Sequence, residues 1–160
     1  MKLKINNNYI LTFCVLALLA VCFLSIYKPI RFDEQRAMRE QVVKERLVKI
    51  RLAEETYRKQ HGVYAGQFKT LIQEGLLADS LTRIPFSQNE QFELAATVEI
   101  KGSGKQQALM ECGAHYHQYL DGLDENSIAN LTEAADREGR YPGLRIGNLT
   151  TNNNNAGNWE

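Results

Sequence analysis

The chain opens on an unbroken apolar stretch and then changes to a helical alternation. Tyr9 to Tyr27 reads YILTFCVLALLAVCFLSIY and holds no charge. A helix over these ~19 residues is ~28 Å long, just enough for the hydrocarbon core of a bilayer. Tyr9 and Tyr27 stand at its ends, where interfacial aromatics belong. Pro29 is expected to interrupt the helix, and Asp33-Glu34 to open a second one, because carboxylates suit the positive end of a helix dipole. In that second helix, which runs to about Gln60, Val43, Leu47, Ile50, Ala53 and Tyr57 recur at spacings of four and three. They form one apolar stripe opposite a densely charged face. Arg58 and Lys59 lie in the last turn, and Gly62 is placed to cap it. The stripe predicts a helix laid on a small core, or alternatively self-association as a coiled coil.

Shorter elements follow. Phe68, Leu71 and Ile72 give one buried side to a helix over Gln67–Glu74, stopped by Gly75. Asp79 to Phe86, with Pro85, reads as an irregular connection. Phe92 to Ile100 alternates apolar and polar residues, Gly102-Ser103-Gly104 is a turn, and Gln107 to Cys112 pairs back as a hairpin. Asp124 to Glu138 is helical, with Ile128, Leu131 and Ala135 three and four apart. Tyr141-Pro142-Gly143 is a turn and Leu144 to Leu149 a last strand. Asn152 to Asn155 and the residues after them are expected to be mobile, unless Trp159 folds back to close the core.

The pattern implies an α+β fold: an N-terminal transmembrane helix, an amphipathic stalk helix, and a small antiparallel sheet with short helices. Residues 1–8 read as a cytoplasmic N-terminus, 9–27 as the anchor, 28–62 as linker and amphipathic helix, 63–150 as a small α+β domain, and 151–160 as a polar tail. Two other readings of the anchor compete. A cleaved signal peptide would have a shorter apolar region and a small-x-small site. A lipidation signal ending at Cys22 would want a small residue where Val21 stands. Orientation is balanced. Lys2 and Lys4 precede the segment, whereas Lys28, Arg31, Arg36, Arg39, Lys44 and Arg46 follow it, which favours a cytoplasmic domain by charge. Those later residues alternate with acids, and long domains translocate largely regardless of charge. The expected arrangement is a single pass through the inner membrane with a periplasmic domain.

Charge and cysteines narrow the classes. The 160 residues carry 19 basic and 19 acidic side chains, so no global field draws in nucleic acid. Cys14 and Cys22 fall in the apolar stretch, which leaves Cys112 alone in the domain and excludes a disulfide-built fold.

Ile50 to Leu77, with Tyr57, Gly62 and Tyr64 in a Tyr-x-x-x-x-Gly-x-Tyr pattern, resembles a stretch of type IV pilin-like and pseudopilin proteins. There, a membrane helix continues as an amphipathic one. Pilins are cut after a Gly just before the apolar segment and carry a Glu at the fifth mature position. Here Asn8 precedes the segment and no acid lies within it. More of the chain resembles a group of anchored proteins of Bacteroidota. The matching features are Ile50-Arg51-x-Ala53-x-x-x-Tyr57, Phe68-x-x-Leu71-Ile72, Tyr141-x-Gly143-Leu144 and the terminal Ala156-Gly157-Asn158-Trp159-Glu160. That resemblance implies a cell-envelope protein of a Gram-negative bacterium and implies no activity.

Candidate chemistry is sparse. Cys112, His115 and His117 supply a thiol and two imidazoles, the donor types that zinc or copper takes. In a strand, however, Cys112 faces away from the two histidines, and a buried cysteine beside part-exposed histidines serves packing equally well. His61 suits a helix C-terminus. No nucleophile elbow, phosphate loop or His-Glu-x-x-His occurs. Asp79-Ser80-Leu81 resembles a short O-glycan acceptor, making Ser80 a modification candidate. Val43, Leu47, Ile50 and Trp159 are candidates for contact with partners. The reading is a membrane-anchored, non-enzymatic envelope protein with protein partners or self-association, no cofactor and no nucleic acid. The alternatives are a metal-binding or enzymatic domain using Cys112, His115 and His117, and a pilin-like subunit.

Overall fold

The structure is a computed structural model that describes residues 7–100 and 106–160, and within the first helix the side chains of 9–23 and of 30 onward. The expected Gly102-Ser103-Gly104 turn, the N-terminal residues 1–6 and the side chain of Tyr27 lie outside the described residues. The chain divides into two units, Met1–Arg36 and Ala37–Glu160.

Helix α1 spans Asn7–His61. Pro29 does not end it, and Asp33-Glu34 lie within it rather than opening a second helix. A proline inside a helix costs about 3 kcal/mol through one lost hydrogen bond and a clash. Propagation on both sides adds a bond per residue, and here it outweighs that local loss. In the first unit every described side chain from Tyr9 to Phe23 is exposed, Phe13 at 72% and Phe23 at 70%. Among the described residues no helix is long and apolar enough to cross a membrane. The described part of the apolar run, 9–23, reaches only ~22 Å at the helical rise.

The second unit is α+β. After α1 come α2 (Phe68–Gln73), a 3-10 turn (Asp79–Thr82), β1 (Glu93–Ile100), β2 (Gln106–His115), α3 (Tyr116–Tyr119), α4 (Glu125–Arg137) and β3 (Gly143–Gly147). The three strands form one antiparallel sheet in the order β1-β2-β3. The hairpin is as its alternation predicts, though β2 continues past Cys112 to His115. Gly62, at φ +79°, ends α1 by donating its N–H to the Arg58 carbonyl, a conformation that suits a residue without Cβ. Asp124 caps α4 by accepting from the Ser127 N–H at 2.8 Å.

The apolar stripe of α1 is consumed inside this unit. Val43, Leu47 and Ile50 are fully buried, together with Leu71, Met110, Cys112, Tyr119, Leu120 and Ile146. They are therefore core residues, not a partner surface or a coiled-coil seam. An apolar side chain with no exposed area already has its partners, and burying each contributes about 1.5–3 kcal/mol. The charged face of α1 is also employed. Arg39 donates to the carbonyls of Tyr119 and Asp121, Arg46 to those of Ser80 and Arg83, and Arg51 to that of Asn155. Three arginines thus tie one helix to three separate loops.

The tail is ordered against this unit. Gly157 bridges to Ile146, the Asn158 N–H donates to the Arg145 carbonyl at 2.9 Å, and the Gly147 N–H donates to the Ala156 carbonyl at 3.1 Å. The outer edge of β3 is thereby covered. Asn154 and Asn155 both take φ +57°, a left-handed conformation that asparagine tolerates better than other residues with a Cβ. Asn155 is buried and donates to the Tyr64 hydroxyl at 2.8 Å. Trp159 folds back beneath Lys44, whose Nζ lies 5.8 Å from its ring, and Glu160 pairs with Arg51 at 2.9 Å. Asn155→Ala should lower stability by about 2 kcal/mol, from left-handed strain and a lost buried hydrogen bond. Urea unfolding of the full chain in detergent measures this, and an unchanged midpoint would show that the tail contributes nothing.

Candidate functional site

Alternate residues of a strand face opposite sides of the sheet. One side here is the core, formed by Met110, Cys112 and Ala114 of β2 with Leu144 and Ile146 of β3. The other side gathers polar groups. Glu93, Gly113 and Arg145 lie side by side across the three strands, flanked by Glu111 and His115. Tyr141, just before β3, lies over Gly113. A Cβ there would sit 2.8 Å from the tyrosine oxygen, so the close approach requires glycine.

The Tyr141 ring is held between two groups. The His115 ring centroid is 4.7 Å away, and the Arg145 guanidinium carbon lies 5.0 Å from the tyrosine centroid. Arg145 also pairs with Glu111 at 3.2 Å, and His115 Nε2 lies 3.8 Å from Glu93. A shallow cavity of about 310 Å³ opens here, lined by Glu93, Ala95, Glu111, Gly113 and Tyr141. Burial first, and then the carboxylates of Glu93 and Glu111, push the Tyr141 hydroxyl well above its usual range, against a smaller opposing effect of Arg145. Tyr141 is accordingly a neutral phenol in a cation–aromatic stack.

The Cys112, His115 and His117 set does not converge. His117 lies in α3 rather than on the strand, and its ring stacks on His115 at 5.6 Å between centroids. Cys112 is fully buried on the core side. Burial raises its thiol pKa well above the ordinary value, and the negative charges of Glu54, Glu111 and Glu93 add to the shift. It is a thiol, not the thiolate that a metal or a nucleophilic mechanism requires. Among the described residues no three His, Cys, Asp or Glu side chains are grouped to hold a metal ion. Ser80 is exposed within the 3-10 turn. His61 stacks on Tyr57 at 4.1 Å, one helical turn away.

Sequence reading missed Glu93, Glu111, Tyr141 and Arg145. The period-two placement of Glu111, Gly113 and His115 was available as a signal for one face. Tyr141 was legible only as part of a turn. The chemistry assembled here is stacking, ion pairing and hydrogen bonding. No family model, no curated protein and no solved structure matches the chain.

Proposed function

We propose that this chain is a non-enzymatic cell-envelope protein, anchored in the inner membrane by residues 9–27, whose periplasmic domain associates with protein partners. The observation that carries the reading is the exposure of every described side chain from Tyr9 to Phe23. A helix that exposes apolar side chains on all sides is far better solvated by lipid than by water. In sequence the apolar run continues to Tyr27, which brings it to the ~28 Å that a bilayer core asks of a helix. The domain supports a binding role through its composition. Its basic helix residues hold loops, its one cysteine is sequestered, and its outer sheet face offers stacked and charged groups without a reacting one.

The test is extraction and labelling of the full chain in its membranes. It should stay with the membrane in alkaline carbonate. A cysteine introduced at exposed Asn152 should react with an impermeant maleimide once the outer membrane is opened and while the inner one is intact. Recovery in the carbonate supernatant would overturn the anchor. Labelling only after the inner membrane is breached would overturn the periplasmic placement.

A further inference from the structure

We infer that the free edge of β1 is a docking site for an extended segment of another protein, one alternating apolar and basic residues and added to the sheet as a fourth strand. The inference rests on the partner-binding reading above and says where and how the partner sits.

The two edges of the sheet are treated differently. The β3 edge is covered by the chain's own tail, through the Ile146–Gly157 bridge and the hydrogen bonds on either side of it. The β1 edge is not. Among the described residues, β1 makes its ladder with β2 over Glu93–Ile100, and no other backbone hydrogen bond reaches it. Every second N–H and C=O along eight residues therefore points away from β2, a ready template for a further strand. Edges that must stay single are commonly blunted by lysine, proline or a bulge. Glu93–Ile100 has no lysine and no proline, and its register against β2 runs without a bulge.

Beside this edge lies a cavity of about 520 Å³, whose lining includes Phe68 and Ile72 of α2 and Phe92 and Leu94 at the start of β1. Leu94 shares its side of the strand with Ala96, Val98 and Ile100, and Val98 and Ile100 are exposed at 43% and 69%. An added strand would place alternate side chains on this apolar side, one of them at the cavity. The other side of β1 carries Glu93 and Glu99. A partner strand with lysine or arginine at the intervening positions would meet them across the new ladder, where opposite charges stabilise a pair. Main-chain bonds supply affinity, and the alternating side chains supply selectivity. A second copy of β1 is a poorer occupant, because two such strands bring four carboxylates and no cation onto one side.

The probe is an acetylated eight-residue peptide alternating valine and lysine, fluorescently tagged and titrated into the full chain in a neutral detergent. It should bind at least about ten-fold more tightly than a peptide of the same composition with valines and lysines in blocks. N-methylation of the amides along one peptide edge should abolish binding, and methylation of the other edge should not. Val98→Lys with Ile100→Lys should weaken binding at least about ten-fold, while circular dichroism and the unfolding midpoint show the domain intact. Equal binding of alternating and block peptides, or of both methylated forms, would overturn the inference without touching the anchor, which carbonate extraction reports separately. A dimer in sedimentation that the same two substitutions dissociate would assign the edge to a second copy instead.

Discussion

Replacing Leu16 and Leu19 by lysine should move the chain out of the membrane fraction. Both side chains are exposed, at 60% and 61%, and both lie near the middle of the apolar run. A lysine at the centre of a membrane helix costs about 2.5–3.5 kcal/mol on insertion scales. Two together cost about 5–7 kcal/mol, or about four orders of magnitude in partitioning. Leu16→Val with Leu19→Ile keeps the apolar character and should leave the chain in place. Flotation through a density gradient separates lipid-bound chain from aggregate, so the measurement reads insertion alone. If the doubly charged chain still floats with lipid after carbonate treatment, residues 9–27 are not its anchor.

The second large effect is expected at Glu54. This residue lies on the buried side of α1, one position beyond Ala53, and is fully buried. Its carboxylate accepts from the backbone N–H of Ala65 at 2.8 Å and of Gly66 at 3.1 Å. It thereby holds the loop that leads from α1 to α2. Glu54→Ala leaves both donors without their acceptor and should destabilise the domain by about 3–4 kcal/mol, given about 1.5–3 kcal/mol for each bond to a charged group. Glu54→Gln retains one acceptor oxygen and should cost about half as much.

Protonation of Glu54 adds a pH dependence with a defined sign. Burial raises its pKa above the ordinary 4.5, and the two backbone hydrogen bonds offset only part of that shift. Between pH 4.5 and that raised value the folded state therefore binds a proton that the unfolded state has released. Stability from this group is full below pH 4.5, falls as pH rises through the raised folded value, and is flat above it. Unfolding free energies of the natural chain minus those of Glu54→Gln, measured from pH 4 upward, isolate this contribution from the other carboxylates. A difference that grows in favour of the natural chain as pH rises would contradict the assignment.

Glu54 also illustrates how far a sequence can be read. Nothing in Ile50 to Tyr57 marks it apart from its charged neighbours Glu55 and Arg51. Helical spacing predicts that position 54 borders the buried stripe, but only the return of the chain at Ala65 and Gly66 gives the carboxylate its donors. The same holds for Arg39, Arg46 and Arg51. They read as a solvated charged face, yet they bond carbonyls up to 104 residues away. The Tyr141 stack is a third case, because His115 and Arg145 reach it from different strands.

Local patterns determined much by themselves. The unbroken apolar run, the four-three stripe of α1, the hairpin and α4 each follow from spacing within a few residues. The capping residue Gly62 does as well, since a cap acts on the turn beside it. Tertiary structure decided what those patterns were for. It directed Val43, Leu47 and Ile50 inward rather than toward a partner, because the domain closes a core over them. It ordered an asparagine-rich tail by giving it the β3 edge to pair with, and it left the β1 edge open. Contacts between residues far apart in the chain depend on where each element comes to rest, and no local spacing encodes that.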